Sequence, residues 1–144
     1  MNPELLNLKV EDSWTVYEGE YNGKPLIARV NIGLQPLVGD SRYQHRIGVA
    51  VPFNSAGEDG FPSGEESWKM SEIEDLLAAE LERHHESLFA VVITTGGMRE
   101  FVFYTSNPQE VEKKLVALAE SIDSHQIQRV IQPDEGWAVY HQFV

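Results

Sequence analysis

The sequence of 144 residues has no cysteine, which excludes disulfides, thiolate nucleophiles and Cys-ligated metals and fits a reducing compartment. Basic residues are scarce: 11 Lys and Arg stand against 23 Asp and Glu, a formal charge of −12. A field of that sign repels phosphate backbones and anionic membranes and favours basic partners, so neither nucleic-acid nor membrane binding is expected. No stretch approaches the ~20 apolar residues that span a bilayer, and the start, MNPELLNLKVEDSW, has no basic n-region or long apolar h-region. A cytoplasmic, unprocessed protein is the expectation. What remains is ordinary for a folding chain, with 42% hydrophobic, 10% aromatic and 24% charged residues, and the length suits a single domain over 1–144.

Glycine, proline and asparagine punctuate the chain into elements. SWTVYEGEY and KPLIARVN are β-prone runs joined by Asn22-Gly23, which accepts the two positive φ angles of a type I′ turn, so residues 13–31 read as a hairpin. A connector over 32–42 leads into a strand from Tyr43 to Val51, closed by Pro52, which has no N–H to donate. Residues 53–68, with Gly57, Gly60, Pro62 and Gly64 among acids, read as a long polar loop and the mobile segment of the chain. Ser71 and Glu74 form a capping box, and Ile73, Leu76, Leu77 and Leu81 carry a helix to about His85. Leu88 to Thr95 and Met98 to Thr105 are strands split by Gly96-Gly97. Asn107-Pro108-Gln109-Glu110 opens a second helix with Val111, Leu115, Leu118 and Ile122 on one face. Gln126 to Gln132 makes the last strand, and Trp137, Tyr140 and Phe143, three apart, favour a short helix or irregular cap over a strand.

From Tyr43 onward this order is β-α-β-β-α-β, an α+β, ferredoxin-like arrangement whose two helices cover one face of an antiparallel sheet. The parts are an added N-terminal hairpin at 13–31, a core at 43–132 and a C-terminal cap at 133–144. A two-residue turn at Gly96-Gly97 sets Thr94 opposite Arg99, Val92 opposite Phe101 and Ala90 opposite Phe103. On the other face Ile93, Val91 and Phe89 oppose Glu100, Val102 and Tyr104. Both faces are therefore apolar, and the one without helices needs the tail aromatics, a second copy or a partner to cover it.

The residues that could carry chemistry are weighed against plainer roles. Arg99-Glu100-Phe101-Val102-Phe103-Tyr104 has the position and aromatics of an RNA-stacking strand, but Glu100 and Val102 replace the small residues needed and HRIGVAV offers no companion ring, so the rings read as core. Adjacent His84 and His85 point about 100° apart on a helix, unlike a zinc-binding i, i+4 pair. Residues Ser55 to Glu66 fit a calcium-loop template at Asp59, Gly60, Ser63 and Glu66 but lack acids at its first and third positions. No metal or other cofactor is expected. No nucleophile elbow or phosphate loop occurs. A hydrolase built on His45, His125 or His141 with an acid remains the enzymatic alternative. The acidic stretch Glu58, Asp59, Glu65, Glu66, Glu72, Glu74 and Asp75 is the stronger feature, because a surface of one sign steers a complementary partner and can imitate a phosphate backbone. With Phe101 and Phe103 from the strand at 98–105, Glu58, Asp59, Glu65, Glu66, Glu72 and Asp75 are the candidate partner-binding residues.

Trp14 with EGEYNGKPLIARVN, a middle strand ending in Pro52, Phe61-Pro62, VITTGGMREFVFYTSN, and Asp134, Trp137, Tyr140 and Phe143 at the close together resemble the bacterial family catalogued as domain of unknown function 695. The likeness spans roughly 13–144. That family is similar in its C-terminal half to the regulator of ribonuclease E activity B, an acidic ferredoxin-like protein that restrains an enzyme by binding it. The resemblance implies a non-catalytic regulatory module and assigns no contact residue. The reading is an uncharacterised acidic protein-interaction module, with self-association or a basic protein as partner, and the antidote of a basic toxin as another form of it.

Overall fold

Both glycine-containing turns reverse the chain as their residues dictate. Asn22 and Gly23 take φ of 52° and 77°, and Gly96 and Gly97 take 59° and 85°, the left-handed angles that a two-residue turn imposes on its central positions. In the computed structural model, which describes residues 8–144, these turns join β1 (Trp14–Tyr21) to β2 (Lys24–Asn31) and β4 (Ser87–Thr95) to β5 (Met98–Thr105). With β3 (His45–Pro52) and β6 (Gln128–Pro133) they form one six-stranded sheet of order β1-β2-β4-β5-β3-β6. Every neighbouring pair is antiparallel. The helices are α1 (Glu65–Leu81), α2 (Pro108–Ser121) and the short α3 (Ala138–His141). None of the described helices is long and apolar enough to cross a membrane. The expectation that no leader occupies positions 1–7 lies outside the described residues.

Helix α2 starts as its sequence says: the Asn107 side chain accepts from the Glu110 N–H at 3.2 Å and Pro108 occupies the first turn. Helix α1 does not. It begins six residues before Ser71, and Ser71 Oγ donates to the Ser67 carbonyl at 3.3 Å from within the helix, so the Ser71–Glu74 capping box is not the start. Gly64, at φ 54°, makes the entry, and Glu65 and Glu66 fill the first turn, where acids oppose the helix dipole favourably. The helix ends at Leu81, and His84 and His85 stand beyond it with φ of 57° and 56°.

The sheet separates two cores. Under α1 and α2 lie Ile47, Val49, Val51, Phe89, Val92, Phe101 and Phe103, meeting Met70, Ile73, Leu77, Leu81, Val111 and Leu115. The opposite face presents Leu26, Ala28, Val30, Leu88, Val102 and Tyr104, and the chain covers it itself with Trp137 and Tyr140 from the tail and Leu34 and Leu37 from a 3-10 turn at Ile32–Leu37. That turn arises within the stretch expected to be a plain connector; its signal is the i, i+3 pair Leu34 and Leu37.

The expected register holds from Thr94 to Val91 and then slips. Thr94 opposes Arg99, Val92 opposes Phe101 and Val91 opposes Val102, but a β-bulge between Phe89 and Val91 sets Phe89, not Ala90, against Phe103, and Leu88 against Tyr104. The extra residue turns Phe89 to the helix side, where it stacks on Phe103 at 4.4 Å between centroids. It also leaves the alanine, the smallest of these side chains, in the opposite core.

Candidate functional site

Helix α1 has apolar residues on both sides, and that is its functional interest. Glu66, Met70, Ile73, Leu77 and Leu81 are buried. Glu65, Trp68, Glu72, Asp75 and Leu76 recur at three- and four-residue spacing on the exposed side. Trp68 is 69% exposed and Leu76 48%, so this side of the helix presents two large apolar side chains among its acids. Between Leu76 and the end of α2 a shallow groove of about 230 Å³ is bordered by Glu72, Asp123 and Lys69. Lys69 is the cation in this stretch of the helix.

The loop that precedes α1 carries two further acids. Glu58 and Asp59 are exposed, and the loop makes hydrogen bonds within itself and to the β4–β5 turn: Asp59 Oδ1 accepts from the Phe61 N–H at 2.9 Å, and the Gly97 N–H donates to the Gly60 carbonyl at 3.1 Å. Gly60 has φ of 82° and a Cβ there would stand 3.0 Å from the Gly97 nitrogen, so only glycine lets the loop lie this close to the β4–β5 turn.

Three of the eight candidate residues leave this surface. Phe101 and Phe103 are fully buried under the helices, because β5 turns alternate residues to opposite faces and this pair faces the helix-covered core. Glu66 is buried at the start of α1, where its Oε1 meets His125 Nε2 at 2.5 Å. Glu58, Asp59, Glu65, Glu72 and Asp75 remain exposed. Glu74, part of the same acidic run, is bonded to Arg29. Its charge also acts on Arg99, whose pKa is pushed below the usual range by burial first and by Arg29 second, with Glu74 opposing.

The His125–Glu66 contact is the histidine–carboxylate pair that a hydrolase would need, but it is closed to substrate. The His125 side chain has no exposed area, its Nδ1 lies 3.0 Å from Ser124 Oγ and its Nε2 on Glu66, so both ring nitrogens are engaged. Asn54 completes the arrangement, giving its N–H to Glu66 at 3.3 Å and its side-chain amide to the Ser124 carbonyl at 2.8 Å. The geometry fastens the entry of α1 to the segment before β6. Of the other two histidines considered, His45 pairs with Thr105 and Pro133 across the sheet, and exposed His141 meets the Tyr140 ring edge-on. The calcium template fails in the same way, since Glu66, its twelfth position, is spent on His125.

Trp68 is the residue that sequence reading missed. Placing 53–68 in a loop hid it; extending the helical spacing back from Leu76 through Glu72 would have found it. No curated protein and no solved structure matches the chain. One family model does, over residues 12–144, and the chain accordingly belongs to the Family of unknown function (DUF695).

Proposed function

We propose that the chain is a non-catalytic, cytoplasmic interaction module that docks a basic protein on the outer face of α1. The observation that carries this reading is Trp68, 69% exposed, set among Glu65, Glu72 and Asp75 and continued by Glu58 and Asp59. A partner's Arg or Lys would find carboxylates for its charge and an indole face for cation–π contact, while Trp68 and Leu76 supply apolar area to remove from water. The acidic field would raise the on-rate, and the aromatic anchor would slow release. The order β4-β5-β3-β6 with both long helices on one face supports a ferredoxin-like core, and that in turn supports kinship with the regulator of ribonuclease E activity B and a regulatory role by binding. An antidote for a basic toxin would use the same surface.

The test is affinity capture from native cells with the full chain, repeated with Trp68→Ala and with Glu72→Lys. A partner bound through this face is basic, is lost as salt rises, and falls by about 2 kcal/mol in affinity on Trp68→Ala, the scale of a hot-spot residue. A partner retained equally by both variants contradicts the reading.

A further inference from the structure

The back of the sheet, away from α1, holds a cavity of about 310 Å³ between the two hairpin turns and the C-terminal segment. Its walls are apolar, with Leu26, Ile93, Met98, Val139 and Phe143 prominent, and among the described residues the one charged side chain lining it is Glu100. The size is at the lower end of ligand pockets, and the lining, hydrophobic with a few placed polar groups, is their usual composition.

The position of the Glu100 carboxylate depends on Gly48. A Cβ on Gly48 would stand 2.5 Å from Glu100 Oε2, so any other residue there would displace the carboxylate, and the same point is 3.4 Å from Arg46 Nη1. Arg46 is shared: its Nε lies 3.7 Å from Asp134 Oδ2, and Asp134 is also held by the Tyr104 hydroxyl at 2.9 Å. One guanidinium thus stands between two carboxylates, leaving one negative charge uncompensated at the edge of an apolar cavity. Glu100 accepts no hydrogen bond from the described residues. A half-buried anion in such surroundings is stabilised by a cation that brings its own apolar body.

We propose that this cavity binds a small organic cation, a primary amine carried on an apolar group, with Glu100 as the counter-ion. The ammonium would sit at Glu100, and the apolar group would lie among Leu26, Ile93, Met98 and Phe143. Burial pushes the Glu100 carboxyl above its usual range, against the pull of Arg46; an ammonium at this point would hold it ionised. The ligand is separate from any partner on α1, and each can fail without the other.

The experiment is a ¹H–¹⁵N NMR titration of the full chain with phenethylamine, against 2-phenylethanol and 3-phenylpropionate as neutral and anionic bodies of similar size. Saturable shifts are expected at Leu26, Ile93, Met98 and Glu100, with the amine binding about tenfold more tightly than the alcohol and the acid weakest. Glu100→Gln is expected to erase the preference for amine over alcohol while keeping the shifts. Ala50→Leu, at a half-buried lining position, is expected to weaken all three. Absence of saturable shifts with the amine up to about 10 mM, equal affinity for the three probes, or an amine preference that survives in Glu100→Gln would each overturn the proposal.

Discussion

The two faces of the sheet are covered by different means. On one, 17 residues of α1 and 14 of α2 lay regular apolar stripes over the strands. On the other, a 3-10 turn and a four-residue helix do the work with a few large rings. Trp137 shows how. Its indole stacks on Tyr104 at 4.1 Å and 4°, meets Tyr140 edge-on at 5.5 Å, and donates Nε1–H to the Tyr43 carbonyl at 2.8 Å. Tyr140 adds a hydroxyl bond to the Asn31 carbonyl at 2.7 Å, and Asp134 accepts the Ala138 N–H at 2.8 Å to start α3. Trp137 has φ of 56°, a left-handed conformation that costs a residue with a Cβ about 1–2 kcal/mol and persists only where contacts over-determine it. Repetition secures one face; a few anchored aromatics secure the other, so the second is the more easily opened by a single change.

The largest effect should therefore come from the tail. Trp137→Ala is expected to lose about 3–5 kcal/mol of stability in urea unfolding and to bind a hydrophobic dye, because Tyr104 and Val102 lose their cover. Tyr43 and Tyr140, whose hydroxyls burial holds up at about 12, should ionise near their ordinary value once that face opens, a change visible in ultraviolet titration. On the helix side, breaking the buried pair by His125→Ala should cost about 3 kcal/mol, while His125→Leu with Glu66→Met should regain most of it, since an apolar replacement leaves no buried polar group without a partner. Helix starts give a smaller contrast: Asn107→Ala should lose about 1 kcal/mol as a true cap, and Ser71→Ala should stay within about 0.5 kcal/mol because Ser71 lies inside α1.

An effect as small as that of the true cap is a pH slope at the C-terminal end of α1. Burial, with Asp12 nearby adding to it and His85 opposing, raises the Glu82 carboxyl from its ordinary 4.5 to about 7. Between those values the folded chain holds a proton that the unfolded chain has released, so stability should fall as pH rises from about 4.5 to 7 and flatten above. Partial exposure and screening hold the expected size to about 1 kcal/mol. Glu82→Gln should remove this slope and gain stability at pH 8 with little change at pH 4, measured by urea midpoints across the range.

What could be read in advance follows the same division. The helix-side elements repeat every three or four residues and carry caps such as Asn107, and both hairpins are announced by Asn22-Gly23 and Gly96-Gly97; such local signals need no knowledge of distant contacts. The tail rings could be recognised as a cover, and three explanations for what lies over the back face stood open until Trp137 and Tyr140 were seen buried there. The bulge at Ala90 left no mark, because it is decided by which of Leu88, Phe89 and Ala90 fits each core, a three-dimensional question. Ser71–Glu74 misled since a capping box inside a helix looks the same in sequence as one at its start. The inward turn of Glu66 and the outward turn of Trp68 were hidden by that one error of phase.

The docking face proposed for a partner is the outer side of α1. The most direct measurement places a photoreactive residue at 68 on α1 and, in a parallel sample, at Val130, which is 50% exposed on β6, and compares cross-linking in native cells. The expected result is protein adducts from position 68 and none from position 130. Adducts from 130 with none from 68 would contradict it and return the partner to the face that the tail covers.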